Sequence, residues 1–236
     1  MDAADSPERT VEAAIAAGIE FFGICDHNSG VTFLRKDARL APAVFVPDSM
    51  APHVLERYFD HINLVKEKYK DKIRVLRGIE VATHKNKPKS ALPKDADISF
   101  FDYCMIENLD CRNTITDGDL FAFRDRCGCE AVGVAHTDMF AFINRIGEDP
   151  YEYFKRMASE NIFWEMNVNY DSTHKFHEYA YVEEFLSNDE RVAIVRESGV
   201  PLSVGFDMHR VEDYLPERVR TYCKRISALG IKLAYE

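Results

Sequence analysis

Residues 6–27 read SPERTVEAAIAAGIEFFGICDH, and this stretch decides the fold. Ser6 suits the N-cap and Pro7 the first position of a helix over residues 7–17. The apolar run at residues 19–25 predicts a buried strand. A helix that leads directly into a buried strand is the unit from which α/β proteins are built.

The same alternation continues along the rest of the chain. Further helices are predicted at residues 53–69, near 117–127, at 149–160 and at 212–229, and residues 179–187 and 189–198 are predicted to form one or two helices. Further strands are predicted at residues 73–81, 98–106, 131–135, 161–168, 201–206 and 231–235. Strands that alternate with helices pair mostly in parallel, which favours an α/β barrel or a doubly wound sheet. Since 236 residues are close to the size of one α/β barrel, a single domain over residues 1–236 is expected.

The composition is that of a globular protein, with 46% hydrophobic and 30% charged residues. A net charge of −10 argues against non-specific binding to nucleic acid or to anionic lipid. A small phosphorylated substrate stays compatible, because bound metal ions reverse the local sign of an acidic pocket. The sequence shows no apolar run of ~18 residues and no signal peptide, so a cytoplasmic protein is expected. The six cysteines are scattered, and Cys127 and Cys129 are interpreted as a helix end rather than a soft-metal or redox pair.

Histidines and carboxylates recur where the predicted strands end. They are Asp26, His27, Glu80, Glu107, Asp110, His136, Asp138, Glu165, Asp207 and His209. Because the carboxyl ends of parallel strands meet at one rim of a barrel, we expect these side chains to form a site. The mixed nitrogen and oxygen donors suit Zn²⁺, Mn²⁺ or Fe²⁺, and a carboxylate such as Glu80 can bridge two ions. Each residue alone could be structural, but their recurrence after successive strands indicates a metal site.

The other five histidines are interpreted as solvated or structural. They are His53, His61, His84, His174 and His177. His174 and His177 occupy a polar loop and are also candidates to contact a substrate.

Taken in order, these motifs resemble those of the PHP (polymerase and histidinol phosphatase) superfamily of metal-dependent phosphoesterases. The segments that carry the resemblance are residues 6–8 (SPE), 16–19 (AAGI), 25–28 (CDHN), 78–80 (GIE), 101–103 (FDY), 136–138 (HTD), 165–167 (EMN) and 205–209 (GFDMH). Thr137 stands where the family has proline. The resemblance implies a distorted (β/α)7 barrel that holds two to three divalent ions, namely Zn²⁺, Mn²⁺ or Fe²⁺, with Mg²⁺ also compatible.

The resemblance also implies a set of metal ligands, with Glu80 as the bridge. They are His27, Glu80, His136, Asp207 and His209. Asp2 is a further candidate, because residues 2–8 fall into the family's Ser-Asp-Gly-x-x-Ser-Pro-Glu frame. The family's first strand, with its His-x-His pair, should precede Asp2. We therefore expect Met1 to be an internal methionine; the alternative is a chain that has lost one strand and two ligands.

The fourth motif also departs from the family, which usually has Ser-x-His where residues 106–110 read IENLD. Counting from Asp102 places Leu109 in the histidine position. A one-residue bulge would bring Asp110 there instead, which we favour, and Glu107 is long enough to reach inward. A carboxylate at this position gives a harder ligand set that favours Mn²⁺ or Mg²⁺ over Zn²⁺.

The expected function is hydrolysis of a small phosphomonoester, as in histidinol or nucleotide phosphatases, by a metal-activated water. Asp26 and Asp138 are expected to orient that water or a histidine ring. Arg210 and Arg145 are candidates to hold the phosphate, and neither membrane association nor strong nucleic-acid binding is expected. The alternative is a PHP-like pseudoenzyme or regulatory module with an impaired metal site. A metal-dependent amidohydrolase is a third option, but the sequence lacks that family's bridging lysine at a strand end.

Overall fold

The computed structural model describes residues 4–27, 33–34, 44–45, 51–82, 92, 96–109 and 118–235. The chain divides into two compact units, Met1–Glu130 and Ala131–Glu236. Among the helices of the described residues, none is both long and apolar enough to cross a membrane.

The first unit contains parallel strands and a short antiparallel ribbon. In the described residues its strands are β1 (Phe21–His27), β2 (Phe33–Leu34), β3 (Val44–Phe45), β4 (Arg74–Ala82) and β5 (Tyr103–Glu107). Its helices there are α1 (Pro7–Ala16), α2 (Ala51–Tyr69) and α3 (Leu120–Cys127). Strand β4 lies between β1 and β5 and is parallel to both, whereas β2 and β3 pair in antiparallel fashion.

The second unit repeats the parallel arrangement. Its strands are β6 (Ala131–Val134), β7 (Ile162–Asn167) and β8 (Leu202–Gly205), with β7 in the middle and all three parallel. Its helices are α4 (Met139–Ile146), α5 (Pro150–Ser159), α6 (Ala180–Leu186), α7 (Asp189–Ser198), the 3-10 helix Val211–Asp213 and α8 (Pro216–Ala228). The expected α/β class and parallel pairing are therefore confirmed.

Local capping explains where several helices begin and end. Capping side chains accept a hydrogen bond from the first turn of α1, α3, α4, α5 and α7, and they are Ser6, Asp119, Asp138, Asp149 and Asn188. The glycines Gly128, Gly147 and Gly199 follow α3, α4 and α7 with left-handed backbone angles, which end a helix at little steric cost.

A buried tryptophan organises the core of the second unit. Trp164 on β7 is fully buried, and its ring lies within 5.1–6.1 Å of four other aromatic rings, those of Phe140, Phe154, Tyr181 and Phe185. Its indole N–H donates to the carbonyl oxygen of Thr137 at 2.8 Å. The core therefore fixes the backbone between His136 and Asp138, two of the predicted site residues.

In the first unit, a buried tyrosine of α2 joins the helix to two strands. The backbone N–H of Asp26 donates to the Tyr58 hydroxyl at 3.0 Å, and that hydroxyl donates to the carbonyl oxygen of Gly78 at 3.3 Å. This contact fixes β1 and β4 near their carboxyl ends, where His27 and Glu80 lie.

Strand boundaries differ from the sequence prediction at two places in the first unit. Asp26 and His27 belong to β1 rather than following it, because they pair in register with Ile79 and Glu80. The strand predicted at 98–106 begins only at Tyr103, since the preceding residues form a hydrogen-bonded turn.

The second unit differs at three places. Helix α4 was not predicted, although Asp138 and Gly147 are its two caps. The last helix begins at Pro216, which suits the first position, and a 3-10 turn precedes it. Residues 231–235 form no strand; they contribute only an isolated bridge between Leu202 and Leu233.

Candidate functional site

The first unit brings one histidine and two glutamates together, and we call His27, Glu80 and Glu107 the first cluster. The Nδ1 atom of His27 lies 3.9 Å from Oε2 of Glu80 and 3.8 Å from Oε2 of Glu107. Each residue offers a ligand atom within 4.8 Å of the other two. All three side chains are partly buried, with exposed fractions of 13–22%.

Strand register explains why these three residues meet. His27 is the partner of Glu80 across β1 and β4, and Glu107 is the partner of Ala82 across β4 and β5. Parallel strands place these positions at the same edge, so a residue near the carboxyl end of each strand contributes to one cluster. Glu107 therefore occupies the place beside His27 and Glu80.

The second unit contains a separate group, and we call Asp171, His174, Asp207 and His209 the second cluster. The Nε2 atom of His174 lies 3.2 Å from Oδ2 of Asp207, and its Nδ1 lies 2.8 Å from Oδ1 of Asp171. Nδ1 of His209 lies 3.0 Å from the backbone oxygen of Asp207, and the rings of His174 and His209 meet edge to face at 5.1 Å. Ligand atoms of Asp171, His174 and His209 lie within 4.8 Å of one another.

In the second cluster, Asp207 and His174 each shift the pKa of the other toward the charged form. Burial raises the pKa of the Asp207 carboxyl, but the hydrogen bond from His174 and the positive charges of His209, His174 and His136 outweigh burial and hold this pKa below its usual value. The Asp207 carboxylate in turn raises the pKa of the His174 imidazole, against the opposing effect of burial. The arrangement thus stabilises an ionised carboxylate, which is the form that binds a cation.

His136 lies near Asp207 and is held by a carboxylate on the neighbouring strand. The backbone N–H of His136 donates to Oε2 of Glu165 at 2.9 Å, and its ring stacks on Tyr179 with a centroid distance of 5.5 Å. Glu165 fits there because residue 205 is a glycine, at which a Cβ would collide with the Glu165 carboxylate. The Glu165 carboxylate therefore holds the backbone of His136 in place through this hydrogen bond.

Backbone strain occurs beside these residues. Asn108, His136 and Asp207 have φ angles of 62°, 27° and 51°, in the left-handed region that residues other than glycine rarely adopt. Each follows within two residues of the end of a strand, namely β5, β6 and β8. Such conformations persist where surrounding contacts hold them, and they are frequent at functional sites.

The three residues predicted to assist catalysis are placed differently from one another. Asp26 lies in β1 next to His27, and its backbone N–H is bound by Tyr58. Asp138 caps α4, where its Oδ1 accepts the N–H of Ala141 at 3.0 Å. Arg210 is exposed and pairs with the exposed Glu212 at 3.2 Å.

Two predicted metal ligands, Asp2 and Asp110, lie outside the described residues, as does His84 among the histidines assigned to loops. Of the remaining predicted ligands, His27 and Glu80 lie in the first cluster, and Asp207 and His209 lie in the second.

The sequence analysis does not single out Asp171 as a site residue, and at the fourth motif it favours Asp110 over Glu107. His174 was interpreted as solvated or as a substrate contact, but its ring is only partly exposed and lies between two carboxylates. The available signal was the Asp-x-x-His spacing of residues 171–174, shortly after β7 ends at Asn167. Asp171 is 1% exposed, and an aspartate is rarely buried to this extent unless it is paired, here with His174.

The donor atoms of both clusters fit a divalent metal ion. Each cluster combines imidazole nitrogen with carboxylate oxygen, the set preferred by Zn²⁺, Mn²⁺ and Fe²⁺. In the second cluster, Oδ2 of the buried Asp171 has no hydrogen-bond partner. A buried carboxylate oxygen in this state is costly unless a ligand satisfies it, so this atom favours a bound cation.

A cavity of about 390 Å³ lies elsewhere in the second unit. Tyr179 and Tyr222 line it together with three glutamates, Glu178, Glu183 and Glu184. Arg218 also lines the cavity, but it pairs with Glu178, so the excess of glutamates makes the cavity an unfavourable place for a phosphate group.

Three solved structures show distant similarity to the chain. A chain described as "putative histidinol phosphatase hisK" from Listeria monocytogenes is 16% identical, with 89% of this chain and 91% of that chain covered and a TM-score of 0.45. A chain of an archaeal ribonuclease P with mature tRNA is 13% identical, with 96% and 85% covered and a TM-score of 0.49. An amidohydrolase is 12% identical, with 94% and 57% covered and a TM-score of 0.36.

No family model matches the chain, and a search of the curated proteins returns no match. At these identities and TM-scores, the similarities bear on neither substrate nor metal.

Proposed function

We propose that this protein is a metal-dependent hydrolase of phosphate esters, built on a PHP-type barrel and acting on a small phosphomonoester. The observation that carries the proposal is that His27, Glu80 and Glu107 meet at the carboxyl ends of three parallel strands. His27 and Glu80 lie in segments that carry the resemblance to metal-dependent phosphoesterases, and Glu107 lies four residues after another such segment. Enzymes with parallel α/β architecture build their sites at this end of the strands.

Each unit would bind some of the two to three ions through its own residues. His27, Glu80 and Glu107 would hold one part of the metal content, and His136, Asp207 and His209 the other. The first set has two carboxylates for one imidazole, so it favours the harder ions Mn²⁺ and Mg²⁺, whereas the histidine-rich second set also suits Zn²⁺ and Fe²⁺. Bound divalent ions polarise phosphoryl oxygens and lower the pKa of water toward neutrality.

The remaining residues position these groups. Glu165 holds the backbone of His136, and Asp138 fixes the start of the helix that follows it. Arg210 is proposed to bind the substrate phosphate, because its surface ion pair with Glu212 is weak enough to be exchanged for an anion. Guanidinium groups bind phosphate oxygens through two parallel hydrogen bonds.

The direct test is hydrolysis by the full chain after metal removal and reconstitution with Mn²⁺, Zn²⁺, Fe²⁺ or Mg²⁺. We expect phosphate release from p-nitrophenyl phosphate, and from members of a panel of phosphorylated metabolites, only when a metal ion is restored. Glu80→Gln should lower kcat/KM at least about 100-fold, since mutation of groups that merely support metal ligands already costs about 10–100-fold.

Glu67→Gln is the matched control, because Glu67 is an exposed residue of α2 that pairs with Lys70. Hydrolysis that survives Glu80→Gln unchanged, or that needs no metal, would contradict the proposal. Binding of metal ions without hydrolysis of any phosphate ester would favour the non-catalytic alternative. The fourth motif is the feature that favours that alternative, since residues 106–110 read IENLD where the family usually has Ser-x-His.

A further inference from the structure

The segment that follows β7 buries three polar side chains in alternation. Asn167, Asn169 and Asp171 are 2%, 1% and 1% exposed. Buried polar residues are ordinarily satisfied by hydrogen bonds. Here Nδ2 of Asn167, Oδ1 of Asn169 and Oδ2 of Asp171 have no partner in the structure. Burying polar atoms without hydrogen bonds costs free energy, so such a segment is favoured only where these atoms bind or position another group.

Asp171 and Asn169 hold His174 in a defined orientation. Oδ1 of Asp171 accepts the backbone N–H of His174 at 2.8 Å and also lies 2.8 Å from its Nδ1. Nδ2 of Asn169 lies 2.5 Å from the same ring nitrogen. With Nδ1 on this side, the opposite nitrogen, Nε2, faces Oδ2 of Asp207 at 3.2 Å.

The spacing of three ligand atoms is close to that of atoms that share one ion. Ligand atoms bound to Zn²⁺ lie about 2.0–2.2 Å from the metal, which places them roughly 3–4 Å from one another. Atoms of Asp171, His174 and His209 lie within 4.8 Å of one another, and Asp207 adjoins His174. The unsatisfied Oδ2 of Asp171 belongs to the same group.

We propose that Asp171 and His174 are metal ligands that form, together with His209, a site for one divalent transition-metal ion, with Asp207 beside it at Nε2 of His174. The resemblance to PHP phosphoesterases assigns only Asp207 and His209 in this group. All four residues belong to the second unit, so the site is assembled from that unit's own side chains. The inference extends the metal-binding part of the proposed function and does not require hydrolysis.

The test counts Zn²⁺ ions in the full chain. After metal removal with EDTA, the protein is titrated with Zn²⁺ alone, and the bound ions are counted by elemental analysis after desalting. His174→Gln and Asp171→Asn should each lose about one ion per chain or weaken its binding at least about tenfold. Asp171→Asn keeps the size of the side chain, and far-UV circular dichroism checks that both variants remain folded.

His177→Ala and Asp189→Asn are the matched controls, because both residues are exposed, the first in the same loop and the second on α7. Glu80→Gln should remove an ion of the first cluster and leave the ion of the second cluster bound. If His174→Gln and Asp171→Asn retain the wild-type number of ions and affinity, the inference is wrong.

The hydrolysis assay separates this inference from the proposed function. Loss of one ion in His174→Gln, in a protein that hydrolyses no phosphate ester, would support the metal site and overturn the proposed function. Metal-dependent hydrolysis with an unchanged number of ions in His174→Gln would overturn the metal site alone.

Discussion

Replacement of Glu165 by alanine is expected to destabilise the protein through the backbone of His136. The His136 N–H donates to the Glu165 carboxylate at 2.9 Å, and the φ angle of His136 is 27°, a sparsely populated conformation. Hydrogen bonds to charged groups contribute about 1.5–3 kcal/mol, so Glu165→Ala should lower the free energy of unfolding by about that amount. Glu165→Gln keeps an acceptor oxygen without its charge and should cost only about 1 kcal/mol.

Thermal unfolding followed by circular dichroism measures this effect. For a chain of this size, 1 kcal/mol corresponds to roughly 2–4 °C in Tm, so Glu165→Ala should melt roughly 3–12 °C below the wild type. Glu160→Ala is the control, because it breaks a surface ion pair with Arg156 and should cost less than about 1 kcal/mol. If Glu165→Ala melts together with the wild type, the carboxylate does not hold His136, and the reasoning fails.

Three further variants test the contacts that position the clusters. Burial raises the pKa of the Asp102 carboxyl, but its hydrogen bonds and ion pair with Arg77 outweigh burial and hold the pKa below 3.8. Asp102→Asn should therefore cost about 1.5–3 kcal/mol in urea unfolding at pH 7, and the gap from wild type should shrink as the pH falls below about 4, where the wild type loses this contribution. Gly205→Ala should displace Glu165 and destabilise the protein by about 1–3 kcal/mol, measured by thermal melting. Tyr58→Phe removes one hydroxyl and should cost about 0.5–1.5 kcal/mol in urea unfolding.

For each of these three variants, one outcome would contradict the prediction. Asp125→Asn, an exposed position on α3, is the control for Asp102→Asn, and a pH-independent gap between Asp102→Asn and wild type would rule out the ion pair as its cause. A Gly205→Ala protein as stable as wild type would show that Glu165 can move without cost. Unchanged unfolding of Tyr58→Phe would show that the hydroxyl does not join β1 to β4.

Much of the fold could be predicted from the sequence, because local interactions determine it. The cap formed by Ser6 and Pro7 begins α1 at the predicted residue, and apolar runs mark the strands. The ends of a strand are harder to predict from sequence where pairing with a neighbouring strand decides them. Asp26 and His27 are strand residues because Ile79 and Glu80 pair with them, which no periodicity within residues 19–27 reveals.

The sequence by itself determined the α/β class, the parallel pairing and the kind of residue found at the strand ends, because helix and strand periodicity are properties of neighbouring residues. Only the tertiary structure decided which of these residues meet. It placed Glu107 beside His27 through the register of β5, and it brought His174 from a loop to Asp207, some thirty residues further along the chain. Register and loop path depend on long-range packing, which a single sequence does not encode in any local pattern.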